Sequence, residues 1–138
     1  GTKIAVLVNK QPITTNQINR RAAFVRLRKM KGNSRTVATN ELVEEAIKVQ
    51  EARRYGVRVS DSEVNSAYSR FAKSNKMSVS QMNSMMAQSG VTARGFKDYI
   101  RASMAWQRLV AGKSQSGASQ GGASGITAVH WVETSSRI

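Results

Sequence analysis

Residues 42–68 contain the pattern that most restricts the fold of this chain. Leu42, Ala46 and Val49 repeat at the spacing of one helix face, and Val43 and Ile47 widen the apolar stripe. A stripe of this width has to be buried against another element, because a single helix cannot shield it from water. The first half of the stretch therefore predicts an amphipathic helix.

A stop and a new helix start follow within the same stretch. Gly56 can adopt the left-handed conformation that ends many helices, because it has no Cβ to clash with the backbone. Residues 57–59 alternate in polarity and predict a short extended connection. Ser60 and Glu63 have the spacing of a capping box, in which each side chain accepts a hydrogen bond from the other residue's backbone N–H. We predict a helix–turn–helix unit around which the rest of the chain assembles.

The same capping signals recur along the chain. Thr14 with Gln17 and Ser78 with Gln81 repeat the capping-box spacing, and Thr92 precedes another segment of helical periodicity. The predicted helices cover about residues 15–31, 39–55, 61–74, 79–89 and 93–111, with Gly112 ending the last of them. Because caps, stops and periodicity agree, the sequence predicts a mainly α fold with a bundle of about five helices.

The two ends of the chain predict strands. Residues 3–8, KIAVLV, are rich in β-branched side chains, and the turn at residues 9–12 leads to a return strand that begins at Ile13. Residues 126–133, ITAVHWVE, predict an isolated strand that needs an edge to join. Either residues 3–8 or the edge of a neighbouring molecule can supply it, so a homodimer formed by segment exchange is left open.

Composition changes abruptly after Lys113. The stretch SQSGASQGGASG contains no charge and no side chain larger than glutamine, which is typical of a flexible linker. We therefore divide the chain into a helical core at residues 1–112, a Gly/Ser linker at 113–125 and a C-terminal strand segment at 126–138 that is placed to complete the core.

The net charge of +14 on 138 residues restricts the class of partner. Such a charge attracts nucleic acid, acidic polypeptide or an anionic membrane surface, although a basic helix face that is simply solvated explains it equally well. The basic residues that precede the first acid, Glu41, are Lys3, Lys10, Arg20, Arg21, Arg26, Arg28, Lys29, Lys31 and Arg35. No window approaches the roughly 18 apolar residues that span a bilayer, and no signal peptide is visible, so membrane insertion is not expected.

Signals for catalysis are weak. The single histidine, His130, has no acid or nucleophile at a fixed spacing and is interpreted as an ordinary strand residue. Glu44 and Lys48 are i, i+4 partners, which favours a solvated, ion-paired helix face over paired catalytic carboxylates. No phosphate loop, dinucleotide fingerprint or metal-ligand spacing occurs. We predict a protein that is not an enzyme and needs no metal or cofactor.

An ordered series of motifs runs through the chain. It opens with IAVLVNKQPITTNQINRR and continues with GVRVSDSE at 56–63, AKSNKMSVSQM at 72–82, GVTARGF at 90–96 and YIR at 99–101. This series resembles the SurA-type periplasmic chaperones over about residues 3–111, where the opening forms a strand, a turn and the first helix. In that family a returning C-terminal segment completes the N-terminal core. Residues 126–133 are therefore such a segment, the last strand of a lost isomerase domain or an added sequence.

The resemblance also implies a function. Members are ATP-independent chaperones that hold unfolded outer-membrane proteins in the periplasm, and most carry parvulin-type prolyl isomerase domains after the helical part. About a dozen linker residues stand where such a domain is expected, so we expect no isomerase activity from this chain. Unfolded outer-membrane proteins or peptides rich in apolar and aromatic residues are the expected partners, and the periplasm is the expected location.

A holdase needs exposed apolar surface that adapts to varied segments. Methionine and aromatic side chains provide it, because thioethers repack around different ligands. The predicted peptide-binding surface consists of Met82, Met85, Met86, Phe96, Tyr99 and Trp106. Two alternatives are that the methionines are core residues, and that the edge of residues 3–8 captures a client strand.

Two other functions stay open at this point. The first is a basic helical nucleic-acid-binding domain, and the second is a fragment of a parvulin-type isomerase without its catalytic domain. Phe24, Tyr55, Tyr68 and Phe71 fall at predicted core positions and are not interleaved with arginine as a base-stacking platform requires, so no nucleic acid partner is expected.

Overall fold

The computed structural model of the protein describes residues 2–116 and 129–131, and its side chains up to residue 112. Within these residues the chain forms five helices and three strands, which confirms the prediction of a mainly α, five-helix fold. The elements are β1 (Ile4–Val8), β2 (Gln11–Thr14), α1 (Thr15–Leu27), α2 (Ser34–Arg54), α3 (Asp61–Ser74), α4 (Val79–Gln88), α5 (Ala93–Ser116) and β3 (Val129–Trp131). In the described part of the chain, no helix combines the length and the hydropathy needed to cross a membrane.

Side-chain caps start the helices where the sequence predicts them. Complete capping boxes open α1, α3 and α4, with the side chains of Thr14, Ser60 and Ser78 as acceptors. Thr92 caps α5, since its hydroxyl accepts from the N–H of Gly95 at 3.0 Å. These local bonds satisfy backbone donors that have no partner within the helix.

Three predicted helix limits are wrong. α2 begins at Ser34, five residues before the predicted start at or slightly before Thr39, because the Asn33 side chain accepts from the N–H of Thr36 at 3.0 Å and caps the helix there. α1 ends at Leu27, followed by Lys29 in the left-handed region at φ 56°. α5 runs through Gly112 to Ser116, since a glycine inside a long helix costs only about 1 kcal/mol.

The strands form one antiparallel sheet in the order β2-β1-β3. Asn9 and Lys10 have φ values of 50° and 71°, as in the type I′ turn that suits a tight hairpin, and Val6 lies opposite Ile13. On its other edge β1 pairs with β3, with Leu7 opposite His130. The N-terminal strand thus pairs with the C-terminal strand of the same chain.

The domain limits stay predictions. Residues 113–116 continue α5, and the rest of the predicted linker, 117–125, lies outside the described residues. The same holds for most of the C-terminal segment, of which residues 129–131 are described as a strand. Exchange of this segment between two copies also stays a prediction.

Three apolar clusters form the core. The first joins the sheet to α1 and α2, the second joins α1, α3, α4 and the start of α5, and the third joins α2, α3 and the second half of α5. α5 therefore connects the second and third clusters. The largest side chains buried completely are Tyr68, Met82, Val6, Val8, Val25 and Val64.

Two arginines of α5 hold the connection between α2 and α3. Arg101 donates to the carbonyl of Val59 and to the carboxylate of Asp61. Arg108 donates to the carbonyl of Arg58 at 3.0 Å and to the carboxylate of Glu63. Because these bonds satisfy backbone groups of an extended segment, α5 fixes the predicted helix–turn–helix unit in place.

Candidate functional site

A groove of about 470 Å³ opens between β2, α1, α2 and the first half of α5. Its apolar lining comes from side chains of all these elements and from one residue in the connection between α4 and α5. They are Ile13, Phe24, Leu42, Ala46, Val49, Val91, Phe96 and Ala102. Leu42 and Val49 are only half-buried, so part of this lining is accessible to an apolar segment from outside.

An aromatic cluster supports one side of the groove. The ring of Phe96 lies 5.2 Å from that of Phe24 and 5.0 Å from that of Phe71, measured between centroids. Tyr99 stacks on Phe96 at 6.0 Å and Tyr68 meets it edge-on at 5.8 Å. Offset and edge-on pairs of this kind restrict ring motion and add to the free energy of burial. The side of the groove that Phe24 and Phe96 line, which is its floor, is therefore preformed.

An ion-pair network around the buried Arg21 lies against the aromatic cluster. The guanidinium of Arg21 donates to Glu45 through two nitrogens, one at 2.9 Å, and to Glu41 at 3.2 Å. Arg28 donates to the same oxygen of Glu41 at 2.7 Å, and its guanidinium lies 4.1 Å from the ring centroid of Phe24. The network ties α1 to α2 at the edge of the groove.

Arg21 is a charged side chain whose burial the sequence did not reveal. Solvation and attraction of a partner were both left open for the basic face of α1, and both need exposed arginines, but Arg21 is only 6% exposed. Burial alone would lower its pKa, and the hydrogen bond and charge of Glu45 more than offset this, so the pKa of Arg21 is raised. The fixed i, i+3 or i, i+4 spacing that reveals an ion pair within one helix is lacking, because the partners lie on different helices.

The glutamates of α2 are only partly the solvated face that the sequence predicts. Glu44 and Lys48 do pair at 3.1 Å on an exposed surface. Glu41 and Glu45 instead face Arg21, and Glu51 is 6% exposed with one carboxylate oxygen that has no hydrogen bond. The glutamates differ because α2 packs against both α1 and α5. Some positions around the helix therefore face a neighbouring helix, and others face solvent.

The six predicted peptide-binding side chains do not share one surface. Met82, Met86 and Phe96 are buried at 0%, 3% and 4% exposure within the second cluster, while Met85 and Tyr99 lie half-buried beside it. Trp106 belongs to the third cluster, where Lys48 lies 5.6 Å from its ring. Phe96 alone of the six lines the groove.

The burial of Met82 and Met86 fits the alternative in which methionines fill the core. Both side chains pack between helices in the second cluster, so in this conformation they are not accessible from outside. Peptide binding by these side chains stays a prediction. The methionine stripe has helical periodicity, but periodicity does not distinguish a face that meets the core from one that meets a partner.

Two aromatic residues that were predicted to lie in the core are exposed. Tyr55 is 50% exposed at the end of α2, and Phe71 is 42% exposed although its ring contacts Phe96. Phe24 and Tyr68 are buried as predicted. The hydroxyl of Tyr68 donates to the side-chain oxygen of Asn83, and burial raises the pKa of Tyr68.

The described residues offer no site for a metal ion, since no three of their His, Asp or Glu side chains come together. His130 lies on β3 opposite Leu7. Its side chain is outside the described part, so the interpretation as an ordinary strand residue stays a prediction.

Comparison with known proteins gives the family. The SurA N-terminal domain family matches residues 2–110. The chain belongs to this family. The match includes the hairpin and every residue that lines the groove, so the groove lies within the SurA N-terminal domain of this chain.

Several whole proteins named Chaperone SurA are similar to this chain. The one from Ralstonia nicotianae is 30% identical over 116 residues, which is 78% of this chain and 23% of that protein. The one from Vibrio vulnificus is 27% identical over 111 residues, which is 75% of this chain and 26% of that protein. This chain therefore spans about a quarter of the length of these relatives.

A solved structure of SurA-like chaperones from Campylobacter jejuni is also similar. Its sequence identity is 21% with a TM-score of 0.47, and the alignment covers 81% of this chain and 42% of that one.

Proposed function

We propose that this domain binds unfolded outer-membrane proteins in the periplasm, without ATP, and keeps them from aggregating. One observation carries the proposal. A domain of the SurA N-terminal family presents a preformed groove whose apolar lining is partly open to solvent. Exposed apolar surface of this kind is unfavourable in water unless a partner covers it.

The lining suits an extended segment with apolar and aromatic side chains. A volume of about 470 Å³ accommodates a few side chains and excludes a folded domain. Phe96 and Tyr99, from the set predicted on the sequence, are the candidate client contacts, because Phe96 lines the groove and Tyr99 stacks on it. Capture of a client strand by residues 3–8 is disfavoured, since β1 has a partner strand on each side.

The experiment that tests the proposal dilutes a urea-unfolded β-barrel outer-membrane protein into buffer without ATP and follows light scattering. We expect an equimolar amount of this chain to suppress the scattering. An equally aggregation-prone, unfolded water-soluble protein is the comparison client, and it should be protected less well. Equal scattering with and without the chain contradicts the proposal.

A matched pair of variants assigns the activity to the groove. Val49 lines the groove on α2, whereas Val110 is 44% exposed on α5 and does not line it. Val49→Asn should weaken client binding about tenfold, since it places a polar amide among apolar contacts, and Val110→Asn should leave it unchanged. Circular dichroism melting curves check that both variants are folded. Equal effects of the two changes contradict the assignment to the groove.

We also propose that this chain has no prolyl isomerase activity. The family match ends at residue 110 and concerns the chaperone domain, and the groove holds no histidine or cysteine among its lining residues. A proline-peptide isomerisation assay tests this directly, with a parvulin as the positive control. Faster isomerisation in the presence of the chain contradicts the proposal.

A further inference from the structure

Four arginines and two acids line the groove, and they differ in whether their charge is neutralised. Arg21 is paired with Glu45 and Glu41, and Arg101 is paired with Asp61. The side chains of Arg20 and Arg94 are exposed and make no hydrogen bond or ion pair within the described part of the chain.

The unpaired arginines lie on different walls of the groove. Arg20 is on α1 and Arg94 is in the first turn of α5, so together they border the apolar lining that contains Phe24 and Val49. Asp98, one helical turn after Arg94, is the unpaired acid of the lining. The rim therefore keeps an excess of positive charge next to an apolar floor.

The geometry points to a specific class of client segment. We propose that the groove selects extended polypeptide segments in which an apolar or aromatic side chain is flanked by carboxylates. The apolar side chain enters the floor, and the carboxylates accept hydrogen bonds from Arg20 and Arg94. Guanidinium groups suit this role, because their fork of N–H donors matches a carboxylate in two-point geometry.

Charge complementarity favours this occupant over a second copy of the chain. The chain carries a net charge of +14, so two copies repel one another, whereas an acidic segment is attracted over a distance of several ångströms. A flat anionic surface satisfies the rim but leaves the recessed floor uncovered. Only a segment that carries both chemistries uses the floor and the rim together.

This inference rests on the proposed function, and it is tested with fluorescent peptides that share one apolar-aromatic centre. The centre is flanked by aspartates, by serines or by lysines, and a fourth peptide carries the aspartates on a glycine-serine centre. We expect fluorescence anisotropy to give about tenfold tighter binding of the aspartate-flanked peptide than of the serine-flanked one. The lysine-flanked peptide should bind more weakly than either.

Two double variants separate the rim from the net charge. Arg20→Ser with Arg94→Ser should reduce the preference for aspartate to less than about twofold. The control is Arg53→Ser with Arg70→Ser, which removes the same charge from exposed arginines that do not line the groove. We expect the control to keep the preference. An equal loss in both variants overturns the inference, because net charge alone then explains the attraction.

The remaining outcomes are also decisive. Binding of the serine-flanked peptide without any gain from aspartate overturns the inference and leaves the proposed function standing. Failure of every peptide to bind overturns the inference, and failure to suppress client aggregation as well overturns the proposed function too. Equally tight binding of the aspartate peptide that lacks an apolar centre, or of a single-stranded oligonucleotide, also overturns the inference, because the floor then contributes nothing.

Discussion

Arg21 on α1 and Glu45 on α2 form a two-point ion pair, with Nη2 donating to Oε1 at 2.9 Å. The Arg21 side chain is 6% exposed, and Glu41 adds a further contact at 3.2 Å. A buried charge is tolerated only when its partners satisfy it, and loss of one partner is far more costly than replacement of the whole pair. The pair therefore determines how α1 packs on α2 at the wall of the groove.

We expect Glu45→Gln to lower the free energy of unfolding by about 2 kcal/mol, because the substitution keeps the size of the side chain but leaves Arg21 with less compensation. Urea denaturation measures the loss. Glu44→Gln is the matched control, since Glu44 is exposed on the same helix and its pairing with Lys48 should be worth less than about 0.5 kcal/mol. Similar losses in the two variants contradict the prediction.

Glu63 gives a prediction about acid. The hydrogen bond from Arg108, followed by that from the backbone N–H of Ser60, lowers the pKa of Glu63 from 4.5 to about 2. Because the unfolded chain takes up the proton first as the pH falls, the stabilisation is complete above the unfolded value and is lost as the pH decreases from 4.5 towards 2. The urea midpoint should decrease over this interval.

Glu63→Gln should flatten that acid limb. Glutamine also serves at this position of a capping box, so the variant removes the charge and keeps the cap. Arg108→Gln should flatten the limb only in part, since it removes the largest cause of the lowered pKa but leaves the hydrogen bonds from Ser60 to Glu63. A wild-type pH dependence in either variant shows that the pair is not responsible.

Tyr68 supports a prediction about the second cluster. Its ring is 1% exposed, and its hydroxyl donates to Asn83. Tyr68→Phe should cost about 1 kcal/mol, because the ring contacts persist while the acceptor on Asn83 loses its donor. Thermal or urea unfolding measures the change. Tyr99→Phe is the control, since the hydroxyl of Tyr99 makes no hydrogen bond within the described residues, and its cost should be clearly smaller.

The elements of this fold were predictable because their signals are local. Ser60 and Glu63 form their capping box within three positions, and Gly56 ends α2 with a φ of 76°. A sequence pattern reports such short-range bonds directly, and the hairpin turn at Asn9 and Lys10 is of the same kind. The pairing of residues 3–8 with the C-terminal strand followed from the need of an isolated strand for an edge.

The groove was not predictable, because it depends on contacts between distant segments. Arg21 and Glu45 belong to different helices, and nothing in the order of residues shows that α1 turns this side towards α2. The positions of Met82 and Phe96 correctly indicated an apolar helix face. They did not show that this face packs into the core of the domain. Only the arrangement of α1, α2 and α5 shows which apolar side chains remain accessible.

Gly90 and Gly56 give the last prediction, since both end a helix with positive φ but have different surroundings. A Cβ on Gly56 meets nothing within 4 Å, whereas a Cβ on Gly90 lies 3.2 Å from the Cβ of Ala23 on α1. Gly56→Ala should therefore cost about 1 kcal/mol for the left-handed backbone alone. Gly90→Ala should cost about 1 kcal/mol more, because α1 and the end of α4 have to move apart.

Ala23→Gly provides the test of that cause. It should destabilise the wild-type chain, since glycine weakens the interior of α1, but it should cost less in the Gly90→Ala background, where it removes the close contact. Urea unfolding of the four proteins in this cycle gives the coupling free energy between the two positions. A coupling of zero, or equal costs for Gly56→Ala and Gly90→Ala, contradicts the idea that the end of α4 is held in close contact with α1 beside the groove.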